Sequence, residues 1–185
     1  MPCRHAARLA VSLAGVFALA GPARAQSAAP PPDDPGLYVI IEATQRPLDS
    51  VIVLPTVCSL PKKDCELVDQ VLYNDARLSG FLRPIRGTSA HAAQIGKAAF
   101  PAYAIRHAAA QSAGGNYVLA TSVKPGKEAG HVELAAVLAD ARDGKNLPLQ
   151  DYALQVAPAS SLRSMAHRIF NGVQGAVTGI EGSFD

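Results

Sequence analysis

Residues 49–85, DSVIVLPTVCSLPKKDCELVDQVLYNDARLSGFLRPI, predict a strand, a helix and a second strand in succession. The β-branched run at 51–54 is typical of a strand that is buried on both faces, and Pro55 ends it because proline has no backbone N–H. Apolar residues then recur at helical spacing from about residue 64. We expect Gly80 to close this helix and Pro84 to break the strand that follows. This unit predicts an α/β core.

The segments after this core predict two helices and a hairpin. We expect a polar connector at 87–97 and an alanine-rich helix at 98–112. A strand at 117–123 precedes an alternating strand at 132–138, which a turn signal separates from another strand at 150–156, so the last two should form a hairpin. The final helix, capped by Ser160 or Ser161, has its apolar positions at Leu162, Met165, Ala166, Ile169, Phe170, Val173 and Val177.

The first 25 residues have the pattern of a signal peptide. Arg4 and Arg8 lie in a basic start, an apolar run of about a dozen residues follows, and small residues precede a cleavage site after Ala25. That run is shorter than the ~20 residues needed to cross a bilayer. Because Cys3 precedes the run, we expect no lipid anchor. The pattern predicts an exported, periplasmic protein without membrane insertion.

The charge that remains after cleavage is close to neutral. The lost segment contains Arg4, Arg8 and Arg24, so 14 of the 17 Lys and Arg residues remain against 15 acidic residues. A net charge near −1 provides no basic surface for nucleic acid or anionic lipid. We therefore expect no nucleic-acid partner.

A proline-rich leader and an apolar run follow the cleavage site. Residues 26–36 are polar and rich in proline, which predicts disorder. The next six residues form a β-prone run, which is either an edge strand or a free segment that binds a partner sheet. This candidate partner-binding run comprises Leu37, Tyr38, Val39, Ile40, Ile41 and Glu42.

Cys58 and Cys65 are the two cysteines that remain after cleavage. In an oxidising compartment their spacing favours a disulfide, which would stabilise the fold by about 2–3 kcal/mol. A catalytic dithiol is the alternative, but the spacing is not Cys-x-x-Cys.

The chemistry-bearing residues form no recognised catalytic or metal-binding pattern. The histidines have no metal-ligand spacing, so surface or capping roles are expected for His91, His107, His131 and His167. No Gly-x-Ser-x-Gly or phosphate-binding loop is present. The acidic and polar positions of the first helix, Glu66, Asp69, Gln70, Asn74, Asp75 and Arg77, predict a solvated face. We expect no enzyme, no cofactor and no metal; a small hydrolase that uses Ser183 or His167 is the alternative.

Two motifs resemble the amino-terminal domain of TolB, the periplasmic component of the Tol–Pal envelope system. The first is Asp75-Ala76-Arg77-Leu78-Ser79-Gly80-Phe81 at the exit of the first helix. The second is an exit motif after the last helix, comprising Thr178-Gly179-Ile180-x-Gly182-x-Phe184. Asn171 stands where this family usually has Asp. The order of predicted elements is similar over roughly 37–184.

The resemblance implies a fold class and a mode of action. It implies a single mixed α/β domain at 37–185, with about five strands, two to three packed helices and no catalysis. In this family the extreme amino-terminal segment contacts TolA, and that segment matches residues 37–42 here. The TolB chain continues into a β-propeller that binds the lipoprotein Pal. This sequence stops at Asp185, so we expect no Pal binding through that surface.

These observations favour a non-enzymatic periplasmic interaction module of the Tol–Pal type. Such a module would support cell-envelope integrity, outer-membrane constriction at division, or protein import. The alternative is an envelope accessory factor with a similar α/β domain, such as an activator of a peptidoglycan synthase.

Overall fold

The computed structural model describes residues 47–97 and 104–184. The predicted signal peptide, the leader and the candidate run at 37–42 lie outside the described residues. The described part belongs to one compact unit, in which helices cover a mixed sheet.

Nine strands and four α-helices are formed within the described residues. The strands are β1 (Asp49–Val53), β2 (Val57–Cys58), β3 (Leu82–Arg86), β4 (Gly96–Lys97), β5 (Ala104–Ile105), β6 (Tyr117–Pro125), β7 (His131–Asp140), β8 (Asn146–Leu147) and β9 (Leu154–Pro158). The helices are α1 (Lys62–Leu78), α2 (Ser89–Ile95), α3 (His107–Ser112) and α4 (Leu162–Thr178). Short 3-10 turns at Gln150–Tyr152 and Ala159–Ser161 flank β9.

The main sheet has five positions across its width. Its order is β3-β1-β6-β7-β8, with β2 also paired to β6 and β9 also paired to β7. The β1 strand is parallel to β3 and β6, whereas β7 is antiparallel to β6, β8 and β9. The mixed sheet of about five strands is therefore confirmed.

Two hydrophobic clusters lie on opposite faces of this sheet. On one face, α1 and α4 pack over the larger cluster, which includes Val51, Leu119, Leu134 and Phe170. On the other face, α2 and α3 pack over a smaller cluster that includes Ile52. The predicted burial of the first strand on both faces follows from its central position between two parallel neighbours.

The segment between β3 and β6 differs from the prediction. Residues 87–97 are not a simple connector, because Thr88 caps α2 by accepting a hydrogen bond from the His91 backbone N–H. Of the predicted helix at 98–112, residues 98–103 lie outside the described part; among the rest, Ala104–Ile105 form β5 and His107–Ser112 form α3. The described residues therefore contain four α-helices, more than the two to three expected, although α2 and α3 are short.

Two predicted boundaries were also wrong. Pro84 does not break the strand but lies within β3, at the edge of the sheet, where proline is tolerated. Ser161 precedes α4, yet its side chain makes no capping hydrogen bond. Gly80 and Gly179 end their helices with φ of +69° and +75°, a left-handed conformation that favours glycine.

Candidate interaction surfaces

The disulfide is the predicted site that lies within the described residues. A bond joins the sulfur atoms of Cys58 and Cys65, so β2 is tied covalently to the first turn of α1. The bridge braces a loop that follows the central strand. Residues 37–42, the candidate partner-binding run, lie outside the described part, and the structure places none of them.

The outer edge of β9 presents backbone groups that no described strand pairs with. Ala136 N–H donates to Ala153 O, and Ala159 N–H donates to Gly130 O, each at 2.9 Å. Backbone groups alternate in direction along a strand, so Leu154 and Val156 direct their N–H and C=O groups away from β7. Unpaired groups of this kind are a template for another strand.

The side chains of the same two residues are exposed and apolar. Leu154 and Val156 are 55% and 58% exposed. The register places Leu154 beside Ala135, which in turn pairs with Ser122. Ser122 pairs with Val57 of β2, which is 52% exposed. Residues paired in register share a face of the sheet, so these four side chains form one row across the sheet, with exposed Leu154 and Val57 at its ends and half-buried Ala135 and Ser122 between them. We call this row with Val156 the β9 surface.

The helices α2 and α3 cover only part of the face that carries the β9 surface. Their cluster contains Val118 and Ala120, which precede Ser122 on the same side of β6. Val156 lies in the next register row with Glu133 and Lys124, where Lys124 Nζ is 2.8 Å from Glu133 Oε2. The β9 surface therefore places exposed apolar side chains beside an ion pair.

The opposite edge of the sheet is protected against strand addition. Gly87 N–H donates to Val53 O at 2.8 Å, so alternation directs the backbone of Leu82, Pro84 and Arg86 outward from β3. Proline has no N–H, and the centre of this edge therefore lacks a donor. The two edges of the sheet are thus chemically different.

A second apolar patch lies where the two long helices end. Leu78, Phe81 and Ile180 are exposed. A cavity of about 370 Å³ at this end is lined in part by Leu78, Ile180 and Phe184. This patch involves both motifs on which the resemblance to TolB rests.

Thr178 and Gly182 of the exit motif each have a structural role. Thr178 Oγ1 donates to Gln174 O and accepts from Ile180 N–H. A Cβ atom added at Gly182 would lie 2.7 Å from Asn171 Oδ1, so only glycine allows the chain to pass this closely over α4. The motif therefore folds the chain back onto its own helix.

Asn171 anchors the end of the segment that folds back over α4. Its Nδ2 donates to Phe184 O at 3.0 Å, and its Oδ1 accepts from Phe184 N–H at 2.9 Å. An ionised Asp could not donate the first of these bonds. The Phe184 ring packs edge-on against Phe170 with centroids 5.5 Å apart. Asparagine at position 171 therefore supplies both the donor and the acceptor of the contact with the Phe184 backbone.

A buried polar pair joins α1 to α4. Asp75 and His167 are 3% and 7% exposed, and His167 Nδ1 lies 2.7 Å from Asp75 Oδ2. Burial raises the pKa of Asp75, and the hydrogen bond to His167 opposes that rise. The prediction of a solvated face was wrong for Asp75, and the prediction of a surface or capping role was wrong for His167.

Asp69 is a second polar position that the amphipathic pattern placed in solvent. It accepts hydrogen bonds from the backbone N–H and the hydroxyl of Thr56, at 2.9 and 2.5 Å. Burial raises the pKa of Asp69, against the hydrogen bonds from Thr56 and the charge of Arg86. These contacts anchor the loop after β1 to α1.

The described residues hold no cluster of metal-binding side chains, and none of their helices is long and apolar enough to span a membrane. Among residues 47–97 and 104–184, His167 Nε2 is buried and has no hydrogen-bond partner. A Ser-His-Asp arrangement needs a serine hydroxyl on this nitrogen, so Asp75 and His167 do not form part of such a triad with Ser183.

The sequence pattern did not predict the β9 surface, because in this strand the polar residue is buried and its apolar neighbours are exposed. Gln155 points inward, where its Nε2 donates to Asp151 O at 2.9 Å. Its neighbours Leu154 and Val156 therefore point outward although they are apolar. The sequence did contain one signal for this surface: Leu154 and Val156 follow a turn and precede Pro158, which is typical of an edge strand.

Solved structures share this fold. A TolB crystal structure from Acinetobacter baumannii is 20% identical, with a TM-score of 0.50, over 73% of this chain and 29% of that chain. The hypothetical protein CT253 from Chlamydia trachomatis is 15% identical, with a TM-score of 0.50, over 71% of this chain and 99% of that chain. This chain thus spans less than a third of the TolB chain that it matches. No protein-family model matches the sequence, and no curated protein does.

Proposed function

We propose that this protein is a non-enzymatic, exported interaction module of the cell envelope that works in the manner of the TolB amino-terminal domain. The observation that carries the proposal is the match in fold to part of TolB over 73% of this chain. The exit motif supports it, because its glycines and Phe184 each have a defined structural role. The protein partner would be TolA-like, and the site would be residues 37–42.

The chemistry of residues 37–42 suits this role. A run of consecutive apolar, β-prone residues can join the edge of a partner sheet as a strand, where main-chain hydrogen bonds give affinity and side-chain pockets give selectivity. Export would place the run in the same compartment as an envelope partner. The buried hydrogen bond between Asp75 and His167 joins α1 to α4 within the scaffold.

A pull-down tests the proposal directly. The bait is the purified periplasmic part of a TolA-like protein, and the prey is the chain from Gln26 onward. We expect deletion of 37–42 to abolish recovery, whereas deletion of six leader residues, 27–32, should leave it unchanged. The variant Val39→Pro, which removes one backbone donor from the run, should weaken recovery at least tenfold.

Unchanged recovery after deletion of 37–42 would exclude the run as the binding site. Crosslinking in cells provides the second arm. Recovery of a peptidoglycan synthase without any Tol component would replace the proposed role with that of an accessory factor for cell-wall synthesis.

A further inference from the structure

We propose that the outer edge of β9 is the contact between two copies of this chain, whose β9 strands pair antiparallel across a two-fold axis at Gln155. No described strand pairs with this edge, because β9 is paired only to β7. The contact would join the main sheets of the two copies into one. It goes beyond the proposed function, because it uses no residue of the candidate run at 37–42.

The backbone of β9 determines the register of this pairing. Leu154 and Val156 each direct one N–H and one C=O away from β7, whereas Gln155 between them is paired inward with Leu134. With the axis at Gln155, Leu154 lies opposite the second copy's Val156, and Val156 lies opposite the second copy's Leu154. Each opposed pair exchanges two hydrogen bonds. The register therefore satisfies every outward backbone group of these two residues in both copies.

The ends of β9 make the two neighbouring two-fold registers poorer. An axis at Leu154 would oppose Val156 to Tyr152, whose N–H already bonds within the 3-10 turn. An axis at Val156 would oppose Leu154 to Pro158, which has no N–H, so the Leu154 C=O would lack a donor. Of these three registers, the one with its axis at Gln155 is complete.

The same register brings exposed apolar side chains together. Residues opposed in an antiparallel ladder share a face of the sheet, so Leu154 and Val156 of both copies form one apolar group. They are 55% and 58% exposed in the single chain, and their contact removes apolar surface from water. Val156 also shares its register row with Glu133 and Lys124, so the ion pair of each copy borders this group.

The distribution of charge favours a second copy of the chain as the partner. Strands that meet across a two-fold axis are identical, so a charge near the axis faces a like charge. The five residues of β9, LQVAP, include no charged residue. The opposite edge strand β3 contains Arg83 and Arg86 as well as the central Pro84, which are features that discourage strand pairing. The β9 edge therefore suits pairing with its own copy, and the β3 edge does not.

The contact is short, so the dimer should be weak. Interfaces of stable complexes bury about 1,200–2,000 Å² in total, and an edge with two exposed apolar residues in each copy falls short of that area. We therefore expect a dimer that dissociates on dilution. A wide range of protein concentrations is needed to detect it.

Sedimentation equilibrium of the chain from Gln26 onward tests the proposal. We expect a monomer–dimer equilibrium for the unaltered chain and for Val156→Thr, which keeps the backbone N–H. Val156→Pro should weaken association at least tenfold. The Val156 N–H points away from β7, so this proline leaves the internal ladder intact, and circular dichroism checks the fold. The exposed substitution Leu154→Lys, which places like charges beside the axis, should weaken association to the same degree.

Crosslinking tests the register. Residues opposed in a hydrogen-bonded pair have Cα atoms about 5.5 Å apart, which a disulfide can span. An equal mixture of Leu154→Cys and Val156→Cys should form a mixed disulfide on mild oxidation, whereas either variant alone should not, because identical positions lie about 7–8 Å apart on the diagonal. The native Cys58 and Cys65 are already bonded to each other.

The outcomes that overturn the proposal are distinct. They are a chain that is monomeric at every concentration, a dimer that survives both Val156→Pro and Leu154→Lys, and a cysteine mixture without a mixed disulfide. Deletion of 37–42 should leave the dimer unchanged. Loss of the dimer on that deletion would assign the contact to the run, and a dimer that forms only after it would show that the run covers β9 in its own chain; either result overturns the proposal.

Discussion

Asp140 and Arg142 organise the turn that leads from β7 to β8. Arg142 donates from its backbone N–H and from Nε to Asp140 Oδ1, both at 2.8 Å. These side-chain and backbone hydrogen bonds hold the pKa of Asp140 below its ordinary value of 3.8, and partial burial opposes them. The carboxylate therefore stabilises the folded chain in its ionised form.

Replacing Asp140 with asparagine should lower stability in a pH-dependent manner. The folded pKa is depressed, so the contribution is fully present above the unfolded value and is lost as pH falls through the folded pKa. We expect Asp140→Asn to lose about 1 kcal/mol at neutral pH, and this difference should vanish in strong acid. Urea unfolding across the pH range measures it. Arg142→Gln keeps the backbone donor and should lose less; a pH-independent deficit in Asp140→Asn would contradict the assignment.

The pair of Asp75 and His167 predicts a strong coupling between two helices. His167→Ala leaves a buried carboxylate without its hydrogen-bond partner and should lower the free energy of unfolding by about 3–5 kcal/mol. Removing both side chains should be less damaging than the sum of the two single changes, by at least about 1 kcal/mol. A double-mutant cycle in urea measures this term. If the effects of the two single changes on the free energy of unfolding are strictly additive, the 2.7 Å contact between Asp75 and His167 contributes little to stability.

Two glycines of α4 provide a matched pair at the scale of the element. A Cβ atom at Gly172 would lie 2.6 Å from Tyr152 Cβ, whereas one at Gly175 would have its nearest neighbour, Glu181 Cα, at 3.7 Å. Gly172 thus allows the 3-10 turn before β9 to contact the helix closely. Gly175 lies in the same helix with room for a methyl group.

We expect opposite effects from the same substitution at these two positions. Gly175→Ala should stabilise the protein by up to about 1 kcal/mol, because alanine favours the helix. Gly172→Ala gains the same propensity but must displace Tyr152, so a net loss of about 1–2 kcal/mol is expected. Thermal unfolding of both variants measures the difference. Equal effects of the two substitutions on stability would show that the 3-10 turn can move away from the helix at little cost in free energy.

Elements with strong periodicity were predictable from sequence, and those fixed by tertiary contacts were not. The spacing of Leu72 and Phe170 with their neighbours placed α1 and α4 close to their observed bounds. Pro84 was misjudged because an edge strand needs no N–H on its outer side. Asp75 was misplaced because a polar residue within a helix turns inward when a partner on another helix meets it.

The mixed α/β architecture was foreseeable, but the free edge of the sheet was not. Buried strands and amphipathic helices are visible as patterns of single residues in the sequence. An edge is a property of which strands meet, and residues such as Leu154 acquire their exposure only from that arrangement. The prediction for 37–42 concerns residues outside the described part and stays a prediction.

The contact between Asn171 and Phe184 also has a mechanical consequence. Two hydrogen bonds and the packing of Phe184 on Phe170 fasten the returning chain to the side of α4. A pulling force applied at Phe184 is therefore transmitted through Asn171 to the third turn of α4. It does not act along the helix axis from Thr178. The last turn of α4 therefore carries none of this force until the two hydrogen bonds between Asn171 and Phe184 break.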